Sequence, residues 1–320
     1  MINPFQPLYQ KCNVGDPAEK YRNLPKFPIL IDVELTNSCN YRCLMCPTGN
    51  LSQSRGAGFM EEETHHRLVA QCAEHGTALR YISWGEPTLH PKIVDFVCEA
   101  SSAGLLTHIN SNGSKITPSL AEQLVGAGLS SIKLSFQGVD KATYLEMRRT
   151  DFFDGVLAAI KMMRTARGDK PLPFIAASTS TTHETQEMIE GFRTLLEPLV
   201  DHLSIGKTIF SFMDMNAVRL KKYEKDILLR LREFEAKDLV HPSPCPEVYT
   251  KLSVHFDGST VLCCNDFNGT VDLGNINDTP ISIIWRHPKI EEYRERLARN
   301  DYNAPLCSDC WDYQSLTGGN

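Results

Sequence analysis

The chain has little positive charge concentrated anywhere. Its longest basic clusters are pairs such as Lys221-Lys222, and 33 Lys and Arg are outnumbered by 39 Asp and Glu, for a formal net charge of -6. The footprint of a nucleic-acid or anionic-membrane partner is therefore missing. No window approaches about 18 uninterrupted apolar residues, the length a membrane-spanning helix needs. The first residues, MINPFQPLYQKC, have neither the basic start nor the apolar core of a secretory signal. These absences point to a cytoplasmic chain with no nucleic-acid or membrane partner.

At 320 residues, with 42% hydrophobic and 22% charged, the chain is long enough for one large domain with a smaller one attached. Its 11 cysteines are an odd number, and a reducing compartment favours metal or catalytic roles over a disulfide framework. Their distribution is uneven. Cys39, Cys43 and Cys46 lie near the start and Cys245, Cys263, Cys264, Cys307 and Cys310 near the end, with Cys12, Cys72 and Cys98 scattered.

Between the two groups, short β-rich runs alternate with amphipathic stretches. Strands are expected at 29–35, 78–84, 105–111, 130–136, 173–181 and 201–209, each followed by helix-like sequence. Repeated β-then-α order requires parallel strands with right-handed crossovers. Six units suit a partial (β/α)6 TIM-like barrel better than a complete eightfold one. Chemistry in such barrels sits at the C-terminal strand ends, where NSCNYRCLMC, GEPTLHP, NSNGS and QGVDKATYLEMRR all fall. The expected division is an extension over 1–28, the barrel over 29–215, a charged helical linker over 216–240 and a small α+β domain over 241–320. A Pro-rich break, HPSPCPE, marks the last boundary, and hairpin-like TKLSVHFDGSTVLCC and helical IEEYRERLAR follow.

The stretch CNYRCLMC places thiols at i, i+4 and i+7. A closed structural zinc site takes four protein ligands, whereas three thiolates on a cubane [4Fe-4S] cluster leave one iron open. The spacing alone also permits half of a zinc site completed from elsewhere, or simple burial.

CNYRCLMC after a first strand resembles the signature of the radical SAM superfamily. In that family a [4Fe-4S] cluster binds S-adenosylmethionine through its open iron and reduces it to a 5'-deoxyadenosyl radical. The resemblance implies that Cys39, Cys43 and Cys46 are the ligands. The family's Gly-Gly-Glu turn after the second strand is matched by Gly85 and Glu86, with Trp84 in place of the first glycine. The Asn-Gly turn after the third strand is matched by Asn112 and Gly113. LSFQGVDKATYLEMRR is similar to the family's fourth-strand turn and later arginine, although Gln137 stands where the acid is usual. It carries Ser135 and Arg148 over as S-adenosylmethionine contacts, with Arg149 competing for the second role. Taken singly, Gly85, Glu86, Asn112 and Ser135 are also ordinary turn and capping residues.

The later cysteines resemble the SPASM/Twitch extension of that superfamily, which holds auxiliary [4Fe-4S] clusters. Gly258, followed five residues later by a cysteine, selects Cys263 over Cys264. The resemblance then implies Cys245, Cys263, Cys307 and Cys310 as a complete ligand set. The shorter Twitch form with one auxiliary cluster is the better match, and Cys264 is left as a loose thiol beside a redox centre.

These resemblances imply an oxidoreductase with S-adenosylmethionine and two [4Fe-4S] clusters, served by an electron donor such as flavodoxin or ferredoxin. The first expectation is a dehydrogenase that abstracts hydrogen from a carbinol carbon of a sugar- or aminocyclitol-like small molecule, with the auxiliary cluster accepting the second electron. Alternatives are an epimerase with Cys264 as catalytic hydrogen donor, a peptide or protein maturase, and a non-enzymatic iron-sulfur or zinc module. The 28 residues before the first strand are few for a leader-binding domain, which weighs against a maturase. Candidate bases inside the barrel are His108, His183, Glu184, Lys207 and Asp214.

Overall fold

In the computed structural model, residues 1–13, 15–210, 213–235, 245–308 and 310 are described. Most of the expected Pro-rich break and the C-terminal tail lie outside them.

Six strands follow the expected order: β1 (Leu30–Val33), β2 (Ala78–Tyr81), β3 (Thr107–Ser111), β4 (Ser131–Ser135), β5 (Phe174–Thr181) and β6 (His202–Lys207). Each pairs in parallel with the next, and helices fill the crossovers. Local chemistry starts those helices where they are needed. Thr117 caps Pro118–Gly126 by accepting from the Leu120 N–H, with proline in the first turn, and Asp140 and Thr143 form a reciprocal capping box on Lys141–Arg148.

The sheet does not end at β1. β7 (Lys251–Val254) pairs with β1 in parallel, and β8 (Ser259–Val261) and β9 (Asp272–Asn275) continue it antiparallel, so nine strands form one sheet in the order β6-β5-β4-β3-β2-β1-β7-β8-β9. The expected hairpin is β7–β8, and the helical close is Pro288–Ala298. The C-terminal region is thereby hydrogen-bonded onto the flank of the barrel.

Alternation along the strands decides what faces where. Ile31, Val33, Leu79, Tyr81, Ile109, Ile132, Leu134, Ile175 and Ala177 enter the main apolar core with the surrounding helices. The opposite face lines the lumen with Asp32, Glu34, Arg80, His108, Asn110, Ser131, Lys133, Ser135, Ser178 and Ser180. Complete TIM barrels commonly fill this space with branched apolar side chains; here it is polar. Its lower end is closed by the helix Gln6–Asn13 and the residues before it, where Phe5 packs with Leu30 and Ala78, joined by Leu8 and Tyr9.

Burial of these charges is tolerated because they are paired. Asp32 accepts from Arg80 Nε at 2.6 Å and Nη2 at 2.7 Å, and the Asp32 side chain is 2% exposed. Removing one partner of a buried pair strands the other. Asp32→Asn should therefore cost about 3–5 kcal/mol of stability. Urea unfolding should show that cost, with most of it recovered when Arg80→Met is added.

Candidate functional site

At the C-terminal ends of β1 to β5, a cavity of about 340 Å³ is lined by Cys39, Cys43, Cys46, Gly85, Glu86, Asn112, Ser135 and Arg148 together. These are all the residues assigned above to the first cluster and to S-adenosylmethionine. Their convergence is built from backbone constraints. Glu86 N–H donates to the Ser38 carbonyl at 2.8 Å. A Cβ on Gly85 would lie 1.9 Å from the Thr36 carbonyl oxygen. The close approach is thus made at Gly85, and the Trp84 position tolerates its large side chain. The cysteine loop is also held from beneath, because Leu44 is fully buried in a small core with Met147 and Phe210, and its N–H donates to the Met147 carbonyl at 3.0 Å.

Glu86 is buried and accepts from Thr88 N–H and Oγ1, from Ser111 Oγ at 2.8 Å and from Asn112 N–H at 2.7 Å. Burial raises its pKa, opposed by these donors. Among the described residues no cation pairs with it. Arg148 and Arg149 part company at the helix end. Arg149 takes φ 59° at the C-cap and turns to Glu224 and the Tyr223 ring. Arg148 lines the cavity, donating to the carbonyls of Ser135 at 2.6 Å and Phe136 at 3.2 Å and approaching Cys43 Sγ at 3.5 Å. Its Nε is buried without a hydrogen-bond partner, which leaves a donor for a ligand.

The three thiols suit a metal cluster. Burial pushes Cys39 up to about 12 and Cys46 up to about 11, and in both cases neighbouring cysteines add to the shift. Thiolates gathered this closely need positive charge between them. Donors are already in place at two sulfurs, Arg148 at Cys43 and Asn112 Nδ2 at Cys39, the latter 3.8 Å away.

A second cavity, of about 80 Å³, is lined by Cys245, Cys263, Cys264, Cys307 and Cys310. Asn265 Nδ2 donates toward Cys310 Sγ at 3.6 Å, and burial followed by Cys310 pushes Cys307 up to about 12. The adjacent pair is separated by its surroundings. Burial, Cys264, Glu247 and Cys245 all raise the Cys263 thiol, whereas Cys264 Sγ lies within 4.8 Å of carboxylate oxygens of both Asp32 and Glu247, so Cys245 acts on the first and Asp32 on the second. That trio is a poor cation site of its own, since Arg80 already compensates Asp32 and Lys251 compensates Glu247. Trp84 joins the two cavities: it lines the first, and its Nε1 donates to the Cys264 carbonyl at 2.7 Å.

Of the candidate bases only His108 lies in the lumen. It is neutral, pushed down to about 3 by burial and by Lys133, and both ring nitrogens are engaged, by Ser131 and Asn110. His183 faces Glu146, Glu184 accepts from the Thr182 N–H, Asp214 accepts from the Asn216 N–H, and Lys207 borders a groove on the outer face beside Ile189 and Arg193. Asn110, Lys133, Ser178 and Ser180 were not singled out above, although the polar alternation of their strands marks them.

A profile of the radical SAM superfamily matches residues 33–206, more than half of the chain, and a profile of the SPASM iron-sulfur cluster-binding domain matches residues 245–311. The chain belongs to the radical SAM superfamily and carries a SPASM domain, and its cofactors are S-adenosylmethionine and iron-sulfur clusters. Among curated relatives, an AdoMet-dependent heme synthase of Methanosarcina barkeri is 28% identical over 171 residues, which are 53% of this chain and 48% of the relative. A PqqA peptide cyclase of Rhizobium meliloti is 35% identical over 129 residues, 39% of this chain and 34% of the relative. The chain therefore spans half or less of these relatives.

Two solved structures share the fold. SuiB of Streptococcus suis bound to S-adenosylmethionine has a TM-score of 0.68 at 19% identity, covering 94% of this chain and 75% of SuiB. BtrN in complex with AdoMet and 2-DOIA has a TM-score of 0.57 at 18% identity, covering 88% and 92%. Among the described residues no helix is long and apolar enough to cross a membrane.

Three substitutions test the arrangement. Arg148→Ala should weaken S-adenosylmethionine binding by about tenfold or more, the worth of a charge-assisted hydrogen bond, while Arg149→Ala should leave it within about threefold; equilibrium binding to anaerobically reconstituted protein reads both. Gly85→Ala, whose new methyl meets the Thr36 carbonyl, should reduce both S-adenosylmethionine binding and iron loading at the first site.

Proposed function

We propose that the protein oxidises a carbinol carbon of a polyhydroxylated, sugar- or cyclitol-like small molecule to a ketone. The observation that carries this reading is the hydrophilic chamber below the cysteine loop: Asn110, Ser135, Ser178 and Ser180 border the same cavity as Cys39, Cys43 and Cys46. Hydroxyl and amide groups in that number suit a ligand rich in hydroxyls.

Cys39, Cys43 and Cys46 would hold the first cluster, Glu86 the methionyl ammonium, and Ser135 and Arg148 other polar parts of S-adenosylmethionine. Cys245, Cys263, Cys307 and Cys310 would hold the second. When bound, these groups supply abstraction of one hydrogen atom from the C–H and acceptance of one electron, with the hydroxyl proton released, so the product is two hydrogens lighter. The chain's own part is orientation and exclusion of water. Trp84 lines the first cavity and hydrogen-bonds the Cys264 carbonyl beside the second, so it would stand between the two clusters.

One observation favours a second reading, epimerisation. Burial, with Glu247 and Asp32 close by, keeps the Cys264 thiol protonated, the form a hydrogen-atom donor needs. Incubating reduced, reconstituted protein with S-adenosylmethionine and a panel of sugars, cyclitols and peptides separates the readings by product mass. Oxidation gives 5'-deoxyadenosine and a product two hydrogens lighter, unaffected by Cys264→Ala. An isomer carrying solvent deuterium, lost in Cys264→Ala, would replace oxidation by epimerisation, and a modified peptide would indicate a maturase. Iron analysis provides a further check: Cys263→Ala should lose about half of the bound iron and Cys264→Ala none, because a missing thiolate opens a closed four-ligand set.

A further inference from the structure

Lys133 stands in the middle of β4 between Ser131 and Ser135, on the face opposite Ile132 and Leu134, which are buried in the apolar core. Its register neighbours are Asn110 on β3 and Ala176 on β5. Asn110 and Ser135 both border the cavity that holds the three cysteines; Lys133 is the register partner of the first and lies two residues before the second on the same face of β4.

Apart from Glu86 and Arg148 at the cysteine cavity, the other charges of the lumen and its rim close in pairs. Arg80 takes Asp32, Lys251 takes Glu247, and Arg55 takes both oxygens of Glu34 at 2.7 Å. His108 stays neutral between Ser131 and Asn110. Among the described residues, Lys133 has no carboxylate within 4.0 Å and no hydrogen-bond acceptor in range. Asp32, the acidic group acting on it, already accepts two hydrogen bonds from Arg80. Lys133 is half-buried, and a cation held beside a second cation is unfavourable unless a ligand brings the counter-charge; burial and Arg80 accordingly hold the Lys133 ammonium below its ordinary pKa.

We propose that Lys133 is a specificity-determining anchor for the substrate, pairing with an oxyanion, carboxylate or phosphate, carried by the polyhydroxylated molecule. The remaining hydroxyls then face Asn110, Ser135, Ser178 and Ser180. The inference rests on the lumen being the substrate chamber, and it sharpens that reading by excluding substrates whose only charge is an ammonium, because they would meet Lys133 and Arg80 with like charge.

The test is calorimetric titration of the reconstituted protein, with S-adenosylmethionine present, using inorganic phosphate, D-gluconate, D-glucose and D-glucosamine. At least one anion should bind saturably and about tenfold or more tighter than glucose, a difference of about one decade in Kd, and glucosamine should bind no better than glucose. Which anion binds separates phosphate from carboxylate. Lys133→Met should weaken the preferred anion by about tenfold, and Lys133→Arg should hold it within about threefold, since charge is the recognised feature. The melting temperature of the substrate-free protein should stay level or rise in Lys133→Met, because an uncompensated charge is removed. Equal binding of anions and glucose, unchanged anion affinity in Lys133→Met, or a fall in its melting temperature overturns the proposal. Absence of 5'-deoxyadenosine from the parent protein would instead strike the functional reading on which the proposal rests.

Discussion

The mouth of the barrel depends on one close contact, the packing of the Gly85 backbone against the carbonyl of Thr36. No side chain fits between them, and the adjoining Glu86 N–H to Ser38 hydrogen bond ties the second strand's turn to the start of the cysteine loop. From that point the other constraints follow in sequence. Glu86 gathers the Ser111 hydroxyl and the Asn112 N–H, and Asn112 in turn reaches Asn40 and Cys39. Leu44 anchors the far side of the loop on the helix that ends in Arg148. The cysteine loop is therefore held by the turn after β2, the end of β3 and the helix Lys141–Arg148, the kind of outer support a cluster site needs.

Beneath that mouth the barrel resolves a conflict. Its lumen is lined with polar groups, and enclosure penalises them. Pairing Asp32, Glu34 and Glu247 with basic groups settles most of it, and the apolar plug of Phe5, Leu8 and Tyr9 keeps the lower end closed. The same pairing binds the C-terminal region to the barrel. Arg55 links Glu34 at the rim to the Phe267 carbonyl, while Asp32 stands between Arg80 and Cys264. Fold stability, chamber polarity and the juxtaposition of two thiol sets rest on one group of charges.

Much of this was legible in the sequence. CNYRCLMC fixes a three-thiol loop by spacing, and six β/α units announce a parallel partial barrel. Other features depend on partners remote in the chain. β7 pairs with β1 across more than 200 residues, and nothing in TKLSVHF announces that neighbour. Arg148 and Arg149 are adjacent and chemically alike, and only the left-handed C-cap at Arg149 decides which enters the cavity. Lys133 is intermediate. The alternation in SSIKLSF places it on the polar face, but its want of a counter-charge appears only once Asp32 is seen to be taken by Arg80.

In the proposed arrangement Cys39, Cys43 and Cys46 hold the cluster that meets S-adenosylmethionine, while the C-terminal cysteines hold one that does not. Electron paramagnetic resonance of two reduced variants tests it, one with Cys39, Cys43 and Cys46 replaced by alanine and the other with Cys245, Cys263, Cys307 and Cys310 replaced. S-adenosylmethionine should change the cluster signal of the second variant and leave that of the first unchanged. A change in the first variant on adding S-adenosylmethionine would contradict it.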